Sequence, residues 1–502
     1  MACTTILVGK KASYDGSTLV ARNEDSGSGS FSPKKFIVVH PKEQPRLYKS
    51  VLSHVEIKLP DNPLRYTAMP NAVADEGIWA ACGVNELNVS MTATETLTSN
   101  ERVLGADPLV RYAKAQGKKG SKSYQPEKIG GIGEEDMVTV VLPYIKSARE
   151  GVLRLGKLLE EYGTYEMNGI AFQDEDEIWW LETIGGHHWI AKRVPDDAYV
   201  IMPNQFGIDY FDLDDAYDKQ KNHLCSKDLK KFIEDHHLDL SMQKDPKRFH
   251  ARLAFGSHSD SDHTYNTPRA WVLQRYFNPT TVKWDGEDAE FKPSSDNIPW
   301  MRIPESKITV EDIKRALSDH FQGTPYDVYA KHGNSAMKGA YRPIGINRNN
   351  FLGLVQIRPN QPKELKAIEW LALGSNVFNA IVPFYVHIDK TPAYLANTSD
   401  QVTTEDFYWT NRLIGVMADA HFPFISNLIE RYQLKVQSQS HMLLKKYDAA
   451  FLAFKGKNKT AFCEEANQEI TEMLKSETDR LLSAVLHESS NHMKNGFSRS
   501  DA

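Results

Sequence analysis

The chain has 502 residues, 41% of them hydrophobic and 25% charged, which is globular composition with ample material for a core. A net charge of -6 and a pI near 6.3 exclude a general nucleic-acid binder, whose surface would be basic. Cys3, Cys82, Cys225 and Cys463 are the only cysteines, and they show no C-x-x-C pair and no metal-ligand spacing, which excludes a disulfide scaffold and a zinc ribbon.

The first residues lack a signal peptide's layout, because the apolar run is three residues long and lysines follow it. Residues 4–8 are mostly β-branched and predict a strand, stopped by Gly9 and a turn at Tyr14-Asp15-Gly16-Ser17. Residues 18–21 predict a second strand. The hairpin would bring residues 22–25 back beside the chain start. Residues 36–40 and 78–90 read as further strands, and 117–133, rich in Gly, Lys and Ser, as an exposed loop.

Residues 137–161 carry helical apolar spacing, weakened by Pro143, Gly151 and Gly156. Residues 170–183 and 188–194 alternate like a β-meander, and 199–202 form a short strand ending at Pro203-Asn204. A helix is predicted over 310–320, then strands over 352–357 and 378–387. From 404 onward the pattern is helical and charged, with long helices over 424–437 and 466–494 and a frayed end over 496–502. No stretch approaches the roughly 20 apolar residues of a membrane helix, so a cytoplasmic protein without a membrane partner is expected. Length suggests about three domains of roughly 150 residues, or one large layered α/β or α+β domain with a helical extension.

Cys3 lies close enough to the chain start to be released as a true N-terminus. Its own α-amine, with a pKa of about 7.7, would then act as general base with no histidine partner. Position alone also fits a small buried residue heading a strand. The cluster Arg22-Asn23-Glu24-Asp25 fits a solvated turn. If the hairpin closes, however, Arg22 would place a positive charge beside the thiol and lower its pKa, and Asp25 would orient the α-ammonium.

Together these residues resemble the N-terminal nucleophile hydrolases, specifically the cysteine dipeptidase family of the bacterial dipeptidases and the secernins, lactic-acid-bacterial members above all. The resemblance runs through Cys3-Thr4-Thr5-Ile6-Leu7-Val8-Gly9, Asp15-Gly16-Ser17, Arg22-Asn23-Glu24-Asp25 and Gly83-Val84-Asn85-Glu86. It continues in Ser147-Ala148-Arg149-Glu150-Gly151, in Glu177-Ile178-Trp179-Trp180-Leu181-Glu182-Thr183, and in Pro203-Asn204-Gln205. It implies an α+β fold, a four-layer αββα sandwich of the N-terminal nucleophile type over residues 3–390 with a helical extension over 391–502.

The resemblance also implies roles. Cys3 would attack the scissile carbonyl, with Arg22 and Asp25 beside it. Asn204 would serve the oxyanion hole, and Arg269, in Asn266-Thr267-Pro268-Arg269-Ala270, would support the nucleophile. Dipeptides are the implied substrates, with Asp25 and Arg269 among the groups that would meet their charged ends. A homo-oligomer is expected, with no nucleic-acid partner. One departure matters: Met1 and Ala2 precede Cys3, so mature activity would require the loss of both residues.

His187-His188 beside Glu182 suggests a metal or acid–base cluster, but neighbouring strand residues point to opposite faces, which favours a structural role. His258-Ser259-Asp260-Ser261-Asp262-His263 reads as a solvated loop. Gly130-Gly131-Ile132-Gly133 lacks the strand–glycine–helix context of a nucleotide site. No cofactor and no metal are expected. Two rivals to the dipeptidase stay open: an acylase of penicillin V or conjugated bile acids, and a non-catalytic secernin-like interaction protein.

Overall fold

The computed structural model describes residues 3–27, 30–73 and 77–494. Met1, Ala2 and the expected frayed end over 496–502 lie outside the described residues. The elements that position the site are, in chain order, β1 (Thr4–Val8), β2 (Thr18–Asp25), β3 (Cys82–Val84), β4 (Ser90–Thr96), α1 (Glu134–Val141) and α2 (Ala148–Tyr162). They continue with β5 (Asn168–Gln173), β6 (Ile178–Ile184), β7 (His188–Arg193), β8 (Tyr199–Met202), β9 (His223–Cys225), α3 (Thr267–Phe277) and β10 (Met301–Arg302). The last are α4 (Val310–Ala316), β11 (Asn349–Ile357), β12 (Ala367–Leu373), β13 (Val382–Tyr385), α5 (Phe407–Ala420), α6 (Phe422–Ala453) and α7 (Lys459–Asn491).

The strands form two large antiparallel sheets. One has the order β10-β8-β1-β2-β11-β12-β13, the other β9-β7-β6-β5-β4-β3. Helices and antiparallel strands together give the expected α+β class. The β1–β2 hairpin closes as the sequence predicts. Asp15 accepts from the Ser17 backbone N–H at 3.0 Å and from its hydroxyl at 2.9 Å, and Gly16 supplies the positive φ of 85°. The register pairs Thr4 with Asn23 and Thr5 with Arg22.

Alternation along the strands divides most of the buried apolar residues among three large cores, with a smaller cluster of Val84, Val355, Ile357, Ala367 and Val386. Leu7 and Val20 share one core with Ala171, Trp180, Ile190 and Val200. Ile6, Val8, Leu19 and Ala21 share a second with Trp271, Leu354 and Trp370, and with Ile414, Ile425, Val436, Ile470 and Leu474 of the C-terminal helices. Phe172, Trp179 and Leu181 share a third with Met137, Val141, Val152 and Leu155 of α1 and α2.

Several expectations shift by local physics. The helix expected over 137–161 is two helices, split at Pro143 in a 3₁₀ turn over Leu142–Tyr144. Gly151 and Gly156 do not break it. They let α2 approach the sheet, since a Cβ there would lie 2.3 Å from Phe172 and from Trp189 respectively. Of the strand expected over 78–90 only β3 and Ser90, the first residue of β4, are strand, and between them lies a turn in which Asn85 Oδ1 accepts from the backbone N–H of Leu87 at 3.0 Å and of Val89 at 3.2 Å. The loop over 117–133 is exposed only as far as Ile129, and Gly130 to Gly133 are buried. Among the described residues, no helix is long and apolar enough to cross a membrane.

Candidate active site

Cys3 immediately precedes β1 and is fully buried. Its side chain shares a face with Thr5, and the antiparallel register sets Arg22 opposite Thr5. The hairpin therefore delivers the guanidinium to the thiol, and Arg22 Nη2 lies 3.2 Å from Cys3 Sγ. Arg22 is itself fully buried. It donates to Glu134 at 2.6 Å, to Glu24 at 3.1 Å and to the carbonyls of Thr94 and Ala81. Lys34 meets the other oxygen of Glu24 at 2.7 Å. Two buried cations thus sit among the carboxylates of Glu24, Glu134 and Glu95, the last 4.0 Å from Arg22 Nε.

The electrostatic outcome differs from the simple expectation that Arg22 lowers the thiol. Burial pushes Cys3 far above its ordinary value. Arg22 pulls it down, and Glu95 and Glu134 push it up again. Burial also pushes Glu95 up to about 8, against the pull of Arg22 and the Thr5 hydroxyl.

Arg269 reaches the same place from α3. Its Nη1 donates to the Cys3 carbonyl and, at 2.7 Å, to Thr4 Oγ1. Its Nη2 donates to Asn204 Oδ1 at 2.8 Å and to Asn266 Oδ1 at 2.7 Å, and its Nε to the Tyr265 carbonyl at 2.6 Å. Burial and then the neighbouring Arg342 pull this guanidinium below its ordinary value. Asn204 follows β8, the strand beside β1, and its Nδ2 donates to Glu95 Oε2 at 3.2 Å. Glu95 Oε1 accepts from Thr5 Oγ1 at 2.5 Å.

Asp25 is more distant. It accepts from Arg342 and Asn349, and from Asn23 Nδ2 at 3.3 Å, while Asn23 Oδ1 accepts from the Thr4 backbone N–H at 2.7 Å. The structure therefore brings Cys3, Arg22, Asn204 and Arg269 together and joins Asp25 to them through Asn23. Asp25 and Arg269 are both fully buried and committed to these partners, so neither stands at the mouth of the site as the sequence suggested.

Sequence reasoning missed Glu95, Glu134, Arg342 and Asn349. Glu95 carried a signal: it is the one charge in the strand Ser-Met-Thr-Ala-Thr-Glu-Thr, and a charge in a buried strand needs partners. The acids Glu134, Glu135 and Asp136 carried another, being a triplet suited to a helix N-terminus.

The other polar motifs lie elsewhere. His187 and His188 converge after all, because His187 belongs to the turn before β7. Both donate to Asp107, at 2.8 and 2.7 Å. His188 also stacks on Phe232 at 3.9 Å, which makes the pair structural. In the 258–263 segment, His263 pairs with Asp296 at 2.8 Å. Among the described residues, no group of three or more His, Cys, Asp or Glu is placed to hold a metal.

Comparison with known proteins adds a family to this geometry. The sequence model described as Peptidase family C69 matches residues 2–435. A protein named Dipeptidase from Bifidobacterium longum is 55% identical over 539 aligned positions, covering 100% of both chains. A Probable dipeptidase A from Streptococcus pyogenes serotype M1 is 52% identical, covering 100% of this chain and 98% of its own. Dipeptidase A from Lactobacillus helveticus is 42% identical, covering 97% and 96%.

Proposed function

The chain belongs to peptidase family C69, and from that premise we propose that it is a dipeptidase working through Cys3 as an N-terminal nucleophile. It is a hydrolytic peptidase. The observation that carries the finer reading is the 3.2 Å approach of a fully buried guanidinium, Arg22, to the Cys3 thiol, with Arg269 on the carbonyl of the same residue.

In this reading, loss of Met1 and Ala2 frees the α-amine of Cys3. The amine takes the thiol proton as the sulfur attacks the scissile carbonyl, then passes it to the leaving amine. Arg22 holds the thiolate against the cost of burying it. Arg269 fixes the Cys3 carbonyl and therefore the direction of the nucleophile. Asp25, through Asn23, steadies the chain where the ammonium forms. Asn204 and backbone N–H groups stabilise the oxyanion. A thioester forms, the C-terminal amino acid leaves, and water releases the N-terminal one.

The three apolar cores support an αββα sandwich of four layers, helices outside and the two sheets within. We retain the division into 3–390 and 391–502, with the C-terminal helices packed into the core of the sheet that bears Cys3. A cytoplasmic homo-oligomer remains part of the proposal, the location resting on sparse cysteine usage.

The test is hydrolysis of a panel of unblocked dipeptides beside penicillin V and a glycine-conjugated bile acid, with Cys3→Ala in parallel. Dipeptide turnover abolished by the substitution supports the reading. Turnover of the other amides alone, or turnover that survives Cys3→Ala, sinks it.

A further inference from the structure

Attack by Cys3 gives Glu95 no task of its own, yet this buried carboxylate bonds to both Thr5 and Asn204 and lies 4.0 Å from Arg22. It stands on β4 in the second sheet and reaches across to β1 and to the segment after β8 in the first. Its Oε1 accepts from Thr5 Oγ1 and its Oε2 from Asn204 Nδ2. The side chain of Asn204 is thus held at both ends, its oxygen on Arg269 and its nitrogen on Glu95. An amide nitrogen carries two N–H bonds in one plane, so a bond from one fixes where the other points.

We infer that Glu95 is a positioning residue for the reaction at Cys3, orienting the Asn204 amide and, through Thr5, the strand that bears the nucleophile, and that it does so as the neutral acid. This rests on the reading of Cys3 as the nucleophile. The hydrogen bonds admit the neutral form only one way round. Asn204 Nδ2 can only donate, so Oε2 must be the carbonyl oxygen. The proton then sits on Oε1 and is given to Thr5 Oγ1, which can accept. Nothing in the geometry has to move.

The charge balance favours this state. The groups facing Glu95 are Arg22 from β2, Glu134 from α1, Arg269 from α3 and the Cys3 thiol ahead of β1. Arg22 already meets Glu24 and Glu134. A third anion beside it would compete with the thiolate for the same cation and would push the thiol up. Removing that charge while keeping both hydrogen bonds leaves Arg22 to the sulfur. Glutamine reproduces the neutral acid: its carbonyl accepts from Asn204 and its amide donates to Thr5. Alanine keeps neither bond, and Thr5→Val removes one.

The experiment measures two things on the purified chain, wild type, E95Q, E95A and T5V: kcat/KM for a good dipeptide from pH 5 to 10, and the pH dependence of Cys3 alkylation by iodoacetamide, located by peptide mass. In the wild type, kcat/KM should fall on an alkaline limb above the ordinary carboxyl range. E95Q should lose that limb, with its optimum reduced less than tenfold. Above the pH at which wild-type Glu95 ionises, it should also alkylate Cys3 faster, the curve lying lower by about one unit, which is roughly tenfold more thiolate at a given pH. E95A should lose about 100-fold in kcat with little change in KM, and T5V should fall between them. A merely structural Glu95 would shift neither pH curve, so E95Q curves superimposed on the wild type overturn the inference. So does an E95A protein that folds and retains wild-type kcat. Alkylation reads the thiol whatever the substrate. A shifted alkylation curve with no dipeptide hydrolysis would therefore uphold the role of Glu95 and reject the dipeptidase reading.

Discussion

Replacing Arg22 by methionine tests the electrostatic core of the site. Methionine keeps most of the side-chain volume and removes the charge together with all the donors. Glu24 retains Lys34 at 2.7 Å, but Glu134 loses its partner at 2.6 Å and Glu95 its cation at 4.0 Å, all fully or almost fully buried. Breaking a buried ion pair from one side costs about 3–5 kcal/mol. Glu134 is the carboxylate stranded near pH 7.5, Glu95 being held there as the neutral acid, which places the Arg22→Met loss within that range. The pH dependence follows from linkage. Burial raises Glu95 and Arg22 pulls it down, so in R22M Glu95 lies further above its unfolded value and the folded state keeps its proton to higher pH. The wild type stops losing stability once pH passes about 8, whereas R22M goes on losing it, so the penalty is smaller near pH 7.5 than near pH 9.5. Urea unfolding of wild type and R22M at pH 7.5 and 9.5 measures both. A cost below about 1 kcal/mol at pH 7.5, or an equal cost at the two pH values, would refute the reasoning.

Other outcomes follow from the same geometry. Asn204→Ala removes the amide shared by Arg269 and Glu95, and should lower kcat on dipeptides by about 100-fold with little effect on KM. Steady-state kinetics check this, and an effect confined to KM counts against an oxyanion role. Glu182 is fully buried, accepts from Trp180 Nε1 at 3.0 Å and from the Gly207 and Ile208 backbone, and burial pushes it up to about 7. Its folded value lies above its unfolded one, so the wild type should lose roughly 3 kcal/mol as pH rises from 4.5 through 7. Glu182→Gln keeps the acceptor and should flatten that loss. Urea midpoints at pH 5 and 8 that fall equally in both proteins would contradict it.

What was legible in the sequence follows where the physics is local. The hairpin was readable because β-branched residues flank an Asp-Gly-Ser turn, and it carries Arg22 to Cys3 without help from elsewhere. The alternation of residues 170–194 gave the meander of β5, β6 and β7. β12 escaped because Ala-Ile-Glu-Trp-Leu-Ala-Leu is apolar almost throughout. It is buried on both faces, and such a run shows neither the period of a helix nor that of a one-sided strand. Gly151 and Gly156 misled because a glycine in a helix pattern reads as a breaker until the aromatic ring packed against it is known. The distant members of the site were harder. Asn204 and Arg269 were named only through family resemblance, and Glu95 not at all, since its partners Thr5 and Asn204 lie 90 and 109 residues away. A carboxylate's role depends on which buried cations and donors the tertiary fold brings to it.

Whether the α-amine of Cys3 is the base is read from intact mass and N-terminal sequencing of the active protein. The active chain should begin at Cys3, and a Cys3→Ala protein should keep Met1 or Ala2 and hydrolyse nothing. A fully active protein that still carries Ala2 would contradict it, because an acylated nitrogen cannot take the thiol proton.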